Sequence, residues 1–380
     1  MSPVLSKITT FFLLIVLGIL LKGKFNGKAE KGALKTYILN VALPATIFIS
    51  LISINIDTQY FYFPLLAILF NGLIFLASPL ILRVAKIHKN PQKNRTLLLL
   101  LPSFAPGLSC FPIINEFLGS EALAKASLFD FGNKIFVLLF LFIFAFRLHH
   151  LTQKKQKIES EKPYVTILKS LFLEPINILI FVAVMILATG NNINTIPPIF
   201  VDLISKIKGT LTPLVLIFIG LSVVFNRKVI VEIIPTLFLR AGLCLLIVTV
   251  MLQIFAVTIP NDILFFMILS LSSVSFWPFA HMSLIDKMEQ KANVKERTFD
   301  IAFGLNYLAY SLPFSTLLIL GLLVKGAYFI NFSNLYYVSV ALLLIGFGML
   351  LLMPNKENLP DAVLSKKKKW RLIYFFTNLF

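Results

Sequence analysis

Between Thr96 and Gly119 the sequence reads TLLLLLPSFAPGLSCFPIINEFLG, apolar enough and long enough to cross a bilayer. It also carries Pro102, Pro106, Gly107 and Pro112, where a plain spanning helix would be smooth. Proline removes a backbone donor and clashes with the preceding turn, so this spacing predicts a helix that kinks or breaks near mid-depth. Backbone opened at that depth is stable only inside protein or beside a water-filled cavity. A second interrupted span, residues 263–286 with Pro278 in ILSLSSVSFWPFAHMS, lies in the other half of the chain. Paired broken helices in corresponding places point to the binding site of a transporter.

The rest of the chain agrees with a membrane setting. Of its 380 residues 58% are hydrophobic, with 38 Phe, which places it among polytopic membrane proteins. Apolar segments of spanning length fall near 4–21, 36–55, 60–84, 96–118, 122–147, 170–189, 198–225, 229–256, 263–286, 298–324 and 335–353, called here spans one to eleven. Residues 8–21 read as part of a retained first helix rather than a signal peptide, because only Lys7 precedes the run and KGK at 22–24 acts as a stop. The net charge of +18 could suggest nucleic acid, but the basic residues cluster in short loops between spans. One set of alternate loops and the tail hold 28 of the 35 Lys and Arg. By the positive-inside rule that set is cytoplasmic, so the expected topology is N-terminus outside and C-terminus inside.

The prolines also repeat. Pro44 to Pro112 and Pro213 to Pro278 are similar separations, and Pro64 and Pro235 fall at matching places between them. Spans two, three and four thus align with seven, eight and nine. A five-span unit crosses an odd number of times, so its second copy must be inverted. The expected fold is all-α: 1–148 and 166–325 as two inverted five-helix repeats with broken spans four and nine, a polar linker at 149–165, an extra helix within 326–353, and a basic tail at 354–380. The tail, ending SKKKKWRLIYFFTNLF, suits an anionic cytoplasmic leaflet or is an ordinary positive-inside tail.

Chemistry is expected where the two breaks cross. The half after each break starts a new helix whose first amides lack partners and carry the positive end of the dipole. These are placed around Phe111 to Ile114 and Phe279 to Met282, and they suit a carboxylate. Carbonyls near Ser103–Ala105 and Ser273–Ser275 would suit a cation, and the hydroxyls of Ser103, Ser109, Ser272, Ser273 and Ser275 add donors and acceptors. The plainer alternative is a pair of proline kinks filled by serines. Ionisable groups inside spans are costly and each marks a functional hypothesis. Asp130 and Lys134 share one helical face, as an internal ion pair or as a proton-linked switch. Arg240 would bind a substrate carboxylate or pair with a carboxylate or carbonyl. His281, after the second break, titrates near neutral pH in its ordinary state but is more often a structural donor. Asn71, Asn133, Asn177 and Asn306 are expected in interhelical hydrogen bonds, and Glu116 in solvent. Cys110 and Cys244 read as packing residues. His149 and His150 sit in a basic loop with no nearby cysteine or acidic cluster. No HExxH, Walker or glycine-rich dinucleotide motif is present, so neither an enzyme nor a cofactor is expected.

Three stretches carry a family likeness. YILNVALPATIF at 37–48 resembles the second-helix signature of the auxin efflux carrier family of PIN-like permeases. SFAPGLSCFPIINEFLGSEALAKASLFD at 103–130 resembles its fourth helix and the turn after it, and LTPLVLIFIGLSV at 211–223 its seventh. The resemblance covers about residues 8–325. It implies a ten-helix core with scaffold and transport parts, crossing fourth and ninth helices, transport of organic anions such as auxin or dicarboxylates, dimers, and a broad link to bile acid–sodium symporters. The family pattern Asn-x-Gly-x-x-Gly-x-Pro reads here Ala105, Gly107, Cys110, Pro112, so only Gly107 and Pro112 carry over. The expected substrate site is Ser103, Ala105, Gly107, Ser109, Cys110, Pro112, Ser273, Ser275, Pro278 and His281. Asp130, Lys134, Arg240 and Asn306 are the coupling or gating residues, and Phe111, Phe276 and Trp277 favour a bulkier acid. The expected protein is a multi-pass plasma-membrane carrier of a small organic anion, touching lipid and no nucleic acid, with coupling to protons, sodium or nothing left open. Its rivals are a transport-inactive sensor of the same fold and a membrane enzyme.

Overall fold

The computed structural model describes residues 3–25, 27–53, 60, 62–153, 175–223, 226–294 and 296–352. Most of the linker and all of the basic tail beyond Leu352 lie outside the described residues. The described chain is helical throughout, with no strand. Among the described residues eight helices are long and apolar enough to cross a membrane: Pro3–Leu21, Ala29–Ile52, Tyr62–Val84, Gly119–Thr152, Pro198–Ser222, Val229–Ile254, Ile301–Leu323 and Phe332–Leu351. These are spans one, two, three, five, seven, eight, ten and eleven. Spans four and nine come as shorter pieces, and span six begins, among the described residues, at Pro175. This is a multi-pass membrane architecture.

The depth of each helix in the bundle follows from its sequence. Span one buries only the stripe Ile8, Phe11, Ile15 and Gly18 and presents leucines such as Leu13 and Leu20 outward. Span two is central: every residue from Leu43 to Ile52 is buried. Its helix runs through a wide π-turn at Ile38–Ala42 just before Pro44. Such a turn accommodates a proline, which cannot donate its amide and crowds the preceding turn.

Small residues let backbones touch, as helix packing in lipid requires. A Cβ on Gly220 would stand 2.1 Å from the Ile15 carbonyl oxygen, so spans one and seven meet backbone to backbone. A Cβ on Gly132 would stand 2.1 Å from the Pro64 carbonyl oxygen, which seats span five on span three. Span eleven lies along span eight, where Gly242 and Gly346 admit the opposing backbone. Span four turns into span five with no loop, through Gly119 at φ +87°, a left-handed conformation that favours glycine.

The apolar core divides into two clusters. One holds Leu97–Leu101 region side chains of span four, Phe136–Phe146 of span five, Ile233–Leu239 of span eight and Val274–Ile285 of span nine. The other takes over at Phe104, at Phe129, at Ala241 and at Leu271 of the same spans. The residues in between are Ser103, Asn133, Arg240, Ser272 and Ser273, all buried. A polar layer therefore crosses the bundle, and both helix breaks lie in it.

Two further polar groupings mark the ends of the bundle. At one end, loops rich in Lys and Arg meet: Arg95 donates to the carbonyls of Thr298 and Arg297. This is called the basic end below. At the other, Lys7 pairs with Glu116 at 3.1 Å and Lys125 with Asp262 at 3.4 Å. Glu116 is thus partly exposed, as expected, and also carries a surface ion pair.

Candidate functional site

The site is built from backbone that the prolines free. In span four the helix Pro91–Leu100 ends and the chain runs unwound until a turn at Pro106–Ser109, followed by Phe111–Phe117. In span nine Pro260–Ser270 ends and Trp277–Lys291 begins. Pro106 and Pro278 each stand in the first turn of the resumed helix, where a missing amide costs nothing. Span four therefore resumes earlier than the sequence suggests. The amides of its first turn are those near Gly107 and Leu108, whereas Ile114 already donates to the Cys110 carbonyl. In span nine the resumed helix starts at Trp277, whose amide donates to Ser275 Oγ at 3.3 Å, and not at Phe279.

The two unwound stretches bond to each other. The Ala105 amide donates to the Ser273 carbonyl at 2.8 Å. The Ser273 amide donates to Ser109 Oγ at 3.1 Å, and the Ser275 amide to Ser103 Oγ at 3.1 Å. Ser273 Oγ reaches the Ala105 carbonyl at 3.4 Å, and Cys110 Sγ donates to the Ile268 carbonyl at 3.3 Å. The serines therefore replace ladder bonds that the prolines remove, each worth about 1 kcal/mol net but more if left unmade in this buried layer. Ser103, Ser109, Cys110, Pro112, Ser273, Ser275 and Pro278 are buried here. Ala105 and Gly107 are half-buried, and a Cβ on Gly107 would stand 3.1 Å from Leu43 of span two.

Arg240 enters this crossing from the middle of the span-eight helix. Its Nε donates to the Leu101 carbonyl at 2.9 Å, and its two terminal nitrogens to Ser272 and Ser103 carbonyls at 2.8 Å each. The Phe104 ring lies 4.6 Å from the guanidinium carbon. The carbonyls that the sequence assigned to a cation are therefore partly taken by a side chain of the protein itself. Three neutral acceptors and an aromatic face offset the desolvation of the charge, a cost of about 3 kcal/mol or more at mid-bilayer.

Asn133 of span five braces the same stretch from the side. Its amide nitrogen donates to the Phe104 carbonyl at 2.8 Å, and its oxygen accepts from the Phe104 amide at 3.3 Å. It also donates to Asp130 at 3.0 Å and accepts from Asn71 at 2.8 Å. Asp130 pairs with Lys134 at 3.4 Å, and Lys134 donates to Asn177 of span six. The two charges form an ion pair, the starting point of either reading of this face, and the pair joins the crossing through Asn133.

Two expected residues stand apart. His281 is buried one turn into the resumed helix with its ring edge-on to Phe142 at 5.2 Å. Among the described residues neither ring nitrogen finds a hydrogen-bond partner, so the structural-donor role expected of it is not seen there. Asn306 is half-buried in span ten and takes no part in the hydrogen bonds of the crossing.

One cluster escaped the sequence. His149, whose loop shows no neighbouring acid in sequence, has Glu289 beside it: Nδ1 to Oε1 is 2.8 Å across 140 residues. The Thr298 hydroxyl donates to the same carboxylate, its amide donates at 3.0 Å, and Gln153 donates at 3.3 Å. Burial pushes the Glu289 carboxyl up, but the bonds from His149 and Thr298 outweigh it and hold it below the usual range. Only the fold, which stacks the ends of spans five and nine, brings these residues together.

No protein-family model and no curated protein matches this chain. The case for the site rests on its own geometry.

Proposed function

We propose that the protein is a secondary carrier that moves a small organic anion, a carboxylate, across the plasma membrane by alternating access. The observation that supports this most is the mutual bonding of two mid-span breaks, with the Ala105 amide donating to the Ser273 carbonyl and Ser109 and Ser103 of span four capping the Ser273 and Ser275 amides of span nine. Broken spans meeting at mid-depth are the usual setting of transporter binding sites. In this reading the two breaks belong to inverted repeats at 1–148 and 166–325. Spans one, two, six and seven form a scaffold against which the others rock. Substrate sits between Gly107 and the start of Trp277–Lys291, whose positive helix end favours a negative group.

The resemblance of residues 37–48, 103–130 and 211–223 to the auxin efflux carrier family supports the same reading. So does the placement of basic loops, which puts the basic end in the cytoplasm and the N-terminus outside. On that topology the ties between Lys7 and Glu116, and between Lys208 and Ser120 at 3.3 Å, join scaffold to moving part on the outer side. Phe276 and Trp277 stand half-buried at the second break and favour an acid with an apolar body.

The test is uptake of radiolabelled mono- and dicarboxylates into vesicles holding the purified protein. Saturable flux absent from protein-free vesicles is expected. Saturable binding without flux would replace the carrier with a sensor of the same fold, and neither binding nor flux for any acid would end the proposal.

A further inference from the structure

The sequence leaves two sets of carbonyls at the ends of the first halves of spans four and nine. In carriers with broken helices such carbonyls hold the coupling ion. Here Leu101 and Ser103 from span four and Ser272 from span nine all accept from one guanidinium, at 2.8 to 2.9 Å. Arg240 thus bonds both breaks at once, at the boundary of the two apolar clusters. It makes no ion pair among the described residues. Asp130, the carboxylate joined to this layer through Asn133, is already paired with Lys134. Among the described residues the layer therefore keeps one positive charge with no counterion.

Resting on the carrier reading above, we propose that Arg240 is the resident cation of the crossing. It takes the place of a coupling sodium ion and supplies the positive charge that an anionic substrate meets. Arg240 touches carbonyls and not substrate, so it acts as a positioning residue: it fixes the two unwound stretches and sets the sign of the field between them. The carrier then binds its carboxylate without sodium.

The experiment measures binding of acetate, benzoate and phenylacetate to the purified full chain by thermal stabilisation. Sodium chloride and choline chloride are compared at equal ionic strength. The wild type is expected to give equal stabilisation in both salts; stabilisation that requires sodium overturns the proposal and leaves the carrier reading intact. In Arg240→Ala, millimolar guanidinium is expected to restore the lost melting temperature and the carboxylate response, and sodium is not. Restoration by sodium in place of guanidinium, or carboxylate binding as tight as wild type with nothing added, overturns it. Should Arg240→Ala fail to fold, Arg240→Lys serves: it keeps the charge but not the three-way geometry, and binding about tenfold weaker and still indifferent to sodium is expected. Sodium dependence in that variant, or full wild-type affinity, overturns the proposal. If the wild type binds no carboxylate in either salt, the carrier reading fails, and recovery of the melting temperature by guanidinium alone decides whether Arg240 holds the crossing.

Discussion

At the crossing, Arg240 is satisfied by three neutral carbonyls and keeps its charge. At the basic end, Glu289 is equally buried but is met by His149, Gln153 and both donors of Thr298. The first arrangement ties unwound backbone; the second ties the regular ends of two helices and a loop. A carboxylate ringed by donors and a histidine spends its charge on its neighbours, so it works as a staple. A cation resting on carbonyls leaves its field available to whatever enters the crossing. Burial of charge alone therefore does not mark a binding site; how the charge is balanced does.

Breaking the first region should cost most. Arg240→Ala strands three buried carbonyls and unties both stretches, with an expected loss of about 3–5 kcal/mol, read as a fall in melting temperature. Glu289→Ala should cost less, about 2–3 kcal/mol, because His149 and Gln153 sit near the bundle end, where water can replace the lost acceptor. Carboxylate binding should survive Glu289→Ala and not Arg240→Ala, which separates staple from site.

The comparison sharpens with pH. Glu289 has its pKa lowered on folding from an ordinary 4.5. A lowered carboxyl contributes stability that is fully present above its unfolded value and is lost as pH falls through the folded one. Thermal stability should thus drop as pH falls below about 4.5, and Glu289→Gln should remove that part of the decline. The smallest effect is expected from Ser103→Ala, which removes one cap on the Ser275 amide and should cost about 1 kcal/mol by thermal melting.

The breaks were legible because prolines announce them: Pro102, Pro106 and Pro278 forbid a continuous ladder whatever surrounds them. The serines read chiefly as donors and acceptors for a substrate, and that Ser103 and Ser109 cap amides of the opposite stretch emerges only from the packed helices. Where span four resumes was misjudged by about one turn, although Pro106 at a helix start was a usable signal. The partners of Arg240 were open in the sequence, because a carbonyl acceptor has no letter of its own. The pairing of His149 with Glu289 was hidden by 140 intervening residues, and the π-turns before Pro44 and at Phe136–Phe140 leave no periodic trace. Local backbone chemistry reads from sequence; long-range charge balance requires the packed helices.

The most direct test is an experimental map of the protein with a brominated monocarboxylate bound. The account predicts spans four and nine interrupted at residues 101–105 and 271–276, with the carboxylate beside Gly107 and the start of the Trp277 helix and the Arg240 guanidinium still on its three carbonyls. Continuous helices through both places, or a ligand seated away from the crossing, would contradict it.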